Sequence, residues 1–385
     1  MQIFFHFKNY YKKIFTKIKL FQSELVLFNL LIILFSLTEI IKKNNYIFFI
    51  FLIPAILLMI YAIHSWKWVI VIFGFLIIIS LLLFFLNSNF SFHNLDHLFN
   101  FKNNPRLLMQ QYIDNNYNDN VASCIKLLLF NEKNYETTIY QNIIKLNIVH
   151  LFVVSGVHLS ALISLVNFLF KKWKWAKNII SILVALFLMY MTNFSISAIR
   201  IVLTLLLSLF LANKMNKLNI IILSAIIICL LAPNDAVSFG FILSYMSVIF
   251  ILIINKIFDN QIIKIFIINI ALSLASLPFN IYFNQAFNLF GWIYSFAFGP
   301  LIIFIYIISL FFCWIPFLFN VFEFIYINLI ELIKNCVNNN HLIKMKIDKN
   351  ILCLLNFIWC CLIDIYLFKN YQKPKKLNLN YFNNV

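Results

Sequence analysis

Apolar stretches of about 20 residues, enough for one helix to cross roughly 30 Å of hydrocarbon, recur almost without pause along this chain. They lie near positions 24–41, 46–63, 67–86, 146–170, 176–192, 195–213, 217–232, 237–255, 262–283, 292–315, 317–334 and 350–368. An apolar segment in lipid must satisfy its own backbone hydrogen bonds, and the period-two alternation of a barrel strand is absent. The expected fold is therefore all-α, a polytopic transmembrane helical bundle of about 10–12 spans. Pro278, Pro300 and the Trp314–Pro316 joint fall within or between spans. Each proline removes an intrahelical bond, so some of these spans are expected to be broken or re-entrant.

Charge is scarce, at 11% of residues, and the net charge is +17. A soluble domain carries roughly a quarter charged residues, so that class is excluded. Excess cations point either to an anionic partner or to the orientation signal of membrane helices. With a cytoplasmic N-terminus, most of the 30 Lys and Arg fall on the inner side, including Lys8, Lys12, Lys13, Lys17, Lys19, Lys171, Lys172, Lys174, Lys177, Lys369, Lys373, Lys375 and Lys376. Both termini are expected in the cytoplasm of a cell whose cytoplasmic membrane holds the chain. The basic start leads into an apolar stretch with no small-residue cleavage pattern, so the first span is expected to stay as an anchor. The chain divides into N-terminal spans (1–86), an extracytoplasmic loop (87–144), a central transmembrane domain (145–316) and C-terminal spans with a basic tail (317–385). The second half of the loop has helical spacing with one apolar face, as expected of an amphipathic helix lying along the outer surface.

Polar residues inside the spans carry the functional signal, because ionisable groups in hydrocarbon are costly. "HLFVVSGVHLS" holds His150, Ser155, Gly156 and His158, with Ser155 and His158 on one helix face. Such a patch suits a hydrated path, contact with a passing phosphate chain, or a serine nucleophile with a histidine base. The plainer alternative is a serine bonded to its own helix and histidines bridging neighbouring helices. No orienting acid accompanies the pair locally, which weighs against a hydrolase. "TNFSISAIRIVL" places Ser195, Ser197 and Arg200 on the next patch. Arg200 is one of two arginines in the chain, and a planar guanidinium grips phosphate or carboxylate at two points while staying charged. Gly240 and Ser244 follow in "SFGFILSY". "FHNLDH", with His93, Asp96 and His97, lacks further ligands and reads as surface rather than metal. The seven cysteines lie mostly in apolar runs with no CxxC pair and read as small apolar fillers. No metal or other cofactor is expected, and no phosphate loop of a motor occurs.

Taken in order, "HLFVVSGVHLS", "SISAIR", "SFGFILSY", the "LP" at Pro278 and the "GPL" at Pro300 resemble the ComEC family of competence proteins, from about Ala122 to Pro316. The resemblance implies an inner-membrane channel component that passes single-stranded DNA into the cytoplasm during natural transformation, without enzymatic activity of its own. On that basis His150, Ser155, Gly156, His158, Ser197, Arg200, Gly240, Ser244, Pro278 and Pro300 fall on motif positions. Two positions depart: Ile242 stands where the family has glutamine, and Ser295 where it has asparagine. Longer members carry an OB-like and a metallo-β-lactamase-like domain, and neither is expected within this sequence. Single-stranded DNA, membrane lipids, and a separate DNA-binding receptor, nuclease and cytoplasmic helicase are thus the expected partners, with a homo-oligomer left open. The rival readings are a polytopic transporter of another anionic substrate, a degenerate member without DNA transport, and an intramembrane hydrolase.

Overall fold

The computed structural model describes residues 24–43, 46–63, 91–92, 104–152, 156–212, 214–288, 290–338 and 342–372. The span expected at 67–86, the "FHNLDH" stretch, Ser155 and most of the basic residues at both ends lie outside the described residues.

The described chain is all-helical apart from one small ribbon. In order it forms α1 (Glu24–Lys43), α2 (Phe49–Ile63), α3 (Pro105–Asn116), α4 (Asp119–Phe130), α5 (Thr138–Lys145), α6 (Val149–Phe152) and α7 (Gly156–Leu169). There follow α8 (Lys174–Met191), α9 (Ile196–Leu211), α10 (Lys217–Leu231), the short α11 (Pro233–Ala236), α12 (Phe239–Ile257) and α13 (Gln261–Asn284). The chain closes with α14 (Gly291–Phe312), α15 (Phe319–Asn338) and α16 (Lys349–Gln372). Among the described residues, 6 helices are long and apolar enough to cross a membrane. They are α6–α7 taken together, α12, α13, α14, the 3-10 turn with α15, and α16, while α2, α8, α9 and α10 are shorter apolar helices.

Local chemistry sets the ends of these helices. Ser238 caps α12 by accepting from the Phe241 N–H at 3.2 Å, and Asn260 caps α13 through the Ile262 N–H at 2.9 Å. Asn131 and Gln285, with φ of 60° and 51°, end α4 and α13 in the left-handed conformation. The ribbon pairs β1 (Ala286–Asn288) antiparallel to β2 (Leu342–Lys344), with Phe287 opposite Ile343.

The prolines do not break their helices. Pro278 lies inside the 24-residue α13 and Pro300 inside the 22-residue α14. A helix keeps its course past a proline when neighbours hold the freed carbonyl's strand of backbone in place. The Trp314–Pro316 joint is a turn between two full-length helices, closed by a 3-10 turn at Pro316–Leu318. Pro278 and Pro300 thus stand in continuous helices where breaks were one expectation, while the Trp314–Pro316 joint separates the spans expected at 292–315 and 317–334.

By packing, the chain divides into two units, residues 1–85 with 353–385, and residues 86–352. α15 and α16, neighbours in sequence, thus belong mainly to different units. In the first, Phe51 meets Phe357 edge-on at 5.0 Å, and Tyr61 meets Phe368 at 5.4 Å. In the second, α4 is buried nearly all round through Val121, Ala122, Cys124, Ile125 and Leu127 to Phe130, and packs against α14 and α15. The stretch read as one amphipathic surface helix is thus two helices, of which α4 is a core element. Only α5 keeps the expected single buried face, through Ile139, Tyr140 and Ile143.

Candidate functional site

Four helices converge on Arg200. It stands just over a turn into α9, which packs against α7, α8, α10 and α12. Its side chain is 5% exposed. Nη1 donates a hydrogen bond to the Ser244 carbonyl on α12, and the guanidinium lies over the Tyr245 ring at 5.8 Å. A cation on an aromatic face is held by the ring's quadrupole, more strongly when both are desolvated. The Tyr245 hydroxyl is fixed in turn. Ser224 uses its own proton on the Ile221 carbonyl at 2.7 Å, so the phenol is the donor in the 3.0 Å contact between Tyr245 and Ser224.

Gly156 completes the cradle. A Cβ built there would fall on the Arg200 guanidinium, so a larger residue at 156 has to displace the tip of the arginine. Among the described residues no carboxylate forms an ion pair with Arg200. Among the described residues the buried Ser244 hydroxyl has no hydrogen-bond partner. The arrangement is a desolvated cation held by a carbonyl, a ring face and a bare backbone. Chemically it suits an anion, because a buried guanidinium retains unspent donors in a planar fork.

A second group of polar residues gathers on α14. Gly291, at its start, lies against Asn147, where a Cβ would come within 3.1 Å of the Asn147 side chain. This close approach brings α6 beside α14, and His150 Nε2 stands 3.4 Å from Ser295 Oγ. Ser295 gives its proton to the Gly291 carbonyl at 2.8 Å, which leaves its oxygen lone pairs toward the imidazole. Further along, His158 is 1% exposed and sets its ring edge-on to Tyr306, with centroids 4.7 Å apart. The two histidines thus bridge helices, as the plainer of the sequence readings has it.

The remaining candidates scatter. Ser195 lies at the α8–α9 turn, 3.1 Å from Thr192 Oγ1 and 3.3 Å from Ser197 Oγ, a hydroxyl cluster that supports the turn where Asn193 and Phe194 take positive φ. Gly240 is exposed, and a Cβ there would have only Ser238 Oγ nearby, at 4.0 Å, so packing does not demand a glycine. Pro278 is buried and Pro300 exposed. Reasoning from sequence put Tyr245 in the right patch without a role and missed Ser224 and Tyr306. Ser295, discounted for departing from the family's asparagine, touches a histidine. The signal that finds Tyr306 is spacing: Ser295, Tyr306 and Ser309 recur on one face of α14.

The family described as "Competence protein" matches residues 127–369. The uncharacterized protein MG316 of Mycoplasma genitalium is 30% identical over 199 residues, covering 51% of this chain and 53% of the relative. Its homolog in Mycoplasma pneumoniae is 28% identical over 186 residues, 48% of this chain and 50% of the relative. The chain thus matches about half the length of each of these relatives. No solved structure matches. The family match takes in all four helices of the Arg200 cradle and the whole of α14, and it covers well over half of the sequence: this protein is a polytopic helical membrane protein belonging to the competence protein family.

Proposed function

We propose that this protein is a channel component that passes single-stranded DNA across the cytoplasmic membrane, with both termini in the cytoplasm and no chemistry of its own. Family membership supports DNA uptake in general, and one observation supports an anionic cargo: the buried Arg200 cradle, which has no paired carboxylate among the described residues. Phosphate is the recurring charge of a DNA strand, and a non-specific single-strand site needs cations to track it and ring faces to meet bases. Arg200 over Tyr245 offers one of each. DNA capture, strand degradation and pulling fall to a separate receptor, nuclease and helicase.

The test is reconstitution of the full chain in liposomes with fluorescent single-stranded DNA outside and a single-strand trap inside. Wild-type vesicles should accumulate label that external nuclease cannot reach. Arg200→Leu, with insertion and helicity unchanged, should lower that signal at least about tenfold, the consequence of losing one charge-assisted contact. A wild-type protein that protects no label defeats the DNA reading. A second reading, export or import of a smaller anion, draws on the same cradle. It gains if inorganic phosphate or sulfate flux depends on Arg200 while DNA protection does not.

A further inference from the structure

α14 serves as a depth scale for the larger unit, since its 22 residues cover about 33 Å at 1.5 Å per residue. His150 lies beside Ser295 near its start and His158 beside Tyr306 further along, so α6–α7 and α14 run in the same direction. The helices between them alternate through short connections. The α8–α9, α10–α12 and α13–α14 turns therefore share the Gly291 end, and the α7–α8 and α14–α15 turns share the Cys313 end.

The segment that precedes α6 touches both ends. On one flank, Ser91 Oγ and the Phe92 N–H donate to the Asp235 carboxylate at the α10–α12 turn, each at 2.6 Å. On the other flank, Asn147 lies against Gly291. Between these flanks the chain is held at the far end of α14. The Tyr117 hydroxyl donates to the Cys313 carbonyl at 2.7 Å, the Tyr112 hydroxyl donates to the Trp314 carbonyl at 3.1 Å, and Asn118 donates to Glu323, early in α15. α3 and α4 fold back on each other there, with Lys126 Nζ 2.8 Å from Asp114 and the Gln110 amide 2.8 Å from the Glu132 carboxylate. Exposure changes along the way. Leu107 and Leu108, in the first turn of α3, are exposed apolar side chains, whereas Asp114–Asn116 and Asn118–Asn120 are exposed and polar throughout. Carboxylates and amides left open in this way need water. Tyr112, Tyr117 and Trp314 beside them are the residue types enriched at a membrane–water boundary.

We propose that α3 and α4 form a re-entrant hairpin. The chain comes in from the Gly291 face, its polar tip at 114–120 meets water at the opposite face, and it returns to the face it came from. Backbone at such depth is stable only where protein shields it. α4, buried nearly all round against α14 and α15, supplies that shield. The stretch expected to lie along one surface therefore presents its tip to the compartment that also bathes the α7–α8 turn. With both termini in the cytoplasm, as proposed above, that compartment is the cytoplasm. The hairpin itself stands whichever way the bundle is oriented and whatever solute it carries.

The experiment is sided labelling of the full chain in the cytoplasmic membrane of a bacterial host. A membrane-impermeant maleimide is applied to spheroplasts or to inverted vesicles, and mass spectrometry reads which residue carries it. Lys172→Cys at the α7–α8 turn marks one face, and Lys346→Cys, just past the strand that pairs with β1 beside the start of α14, marks the other; both positions are exposed. Thiols in contact with water react and shielded ones do not. Asn116→Cys should be labelled from the side that labels Lys172→Cys and lose all label from the side that labels Lys346→Cys. Labelling from the Lys346 side, from both sides, or from neither while the two markers respond overturns the hairpin. Finding both markers on one side overturns it as well, because α14 would then not cross. If Asn116→Cys fails to accumulate, Asn120→Cys is held to the same criterion.

Discussion

Arg200 and Asp364 are both buried charged side chains on apolar helices, one in each unit, and they are accommodated in opposite ways. Arg200 is met by groups that belong to the backbone or to a ring: the Ser244 carbonyl, the Tyr245 face and the bare Gly156. Asp364 is met by another side chain, the Asn29 amide, which donates to it at 3.1 Å and to the Leu25 carbonyl at 2.9 Å. It also borders a cavity of about 310 Å³, lined by Ile32, Phe51, Pro54 and Phe357 among others. A guanidinium keeps its charge at any accessible pH, so the bundle has to be shaped around it. A carboxyl can become neutral by taking up a proton, and a single amide beside an open space is then sufficient. Around the arginine the fold is specified down to one missing Cβ, whereas around the aspartate it is loose.

Gly156→Val breaks the tight half of that comparison and should have the largest effect. Its side chain must displace the guanidinium, at a cost of about 1–3 kcal/mol typical of overpacking. The measurement is the unfolding midpoint in mixed detergent. The same substitution in an Arg200→Ala background should cost less than half as much, since the clash is with the arginine itself. Additive costs would place the strain elsewhere.

Asp364→Asn and Asp364→Leu probe the loose half. Side-chain hydrogen bonds between membrane helices average about 0.6 kcal/mol and reach about 1.7. Asp364→Leu should therefore lose no more than about that upper value in the same unfolding measurement, and Asp364→Asn less still. An asparagine penalty equal to that of leucine would mean that the charge, and not the hydrogen bond, is what Asn29 and its surroundings hold.

The smallest effect is a null that marks how well the larger unit is sealed. Cys124 on α4, outside the six long spans, is 1% exposed, and burial pushes its thiol up to about 12. Because the shift is upward, the reactive thiolate forms only as pH approaches that value, and maleimide at pH 8 should leave Cys124 unlabelled in the native protein. Mass spectrometry before and after denaturation reads this directly. Rapid native labelling would show that α4 opens, and that the larger unit is the loose one.

Much of the bundle could be read in the chain beforehand, and the parts that could not share a cause. α8, α9, α10, α12 and α13 begin and end within a few residues of where the apolar runs predict, because a helix in lipid is a local structure that satisfies its own backbone. Gly156, Arg200 and Ser244 stand out from their apolar neighbours in the sequence, and the structure brings them together, Ser244 through its main-chain carbonyl. The role of α4 was not legible: a helix buried on every side and a helix at the membrane surface both show apolar residues at helical spacing. Nor was the grouping of α16 with α1 and α2, since nothing local distinguishes it from α15.

By itself, the sequence determined that this protein is a membrane bundle, where its helices run, and which few positions hold polarity inside them. Those properties depend on neighbours within about one turn and on transfer from water to lipid. Only the tertiary structure decided that the histidines face α14, that an arginine fills the space left by a glycine 44 residues upstream, and that an aspartate near one end finds an asparagine near the other. Between helices in lipid the choice of partner rests on shape and on single hydrogen bonds, and apolar periodicity, the strongest signal in the chain, is silent about both.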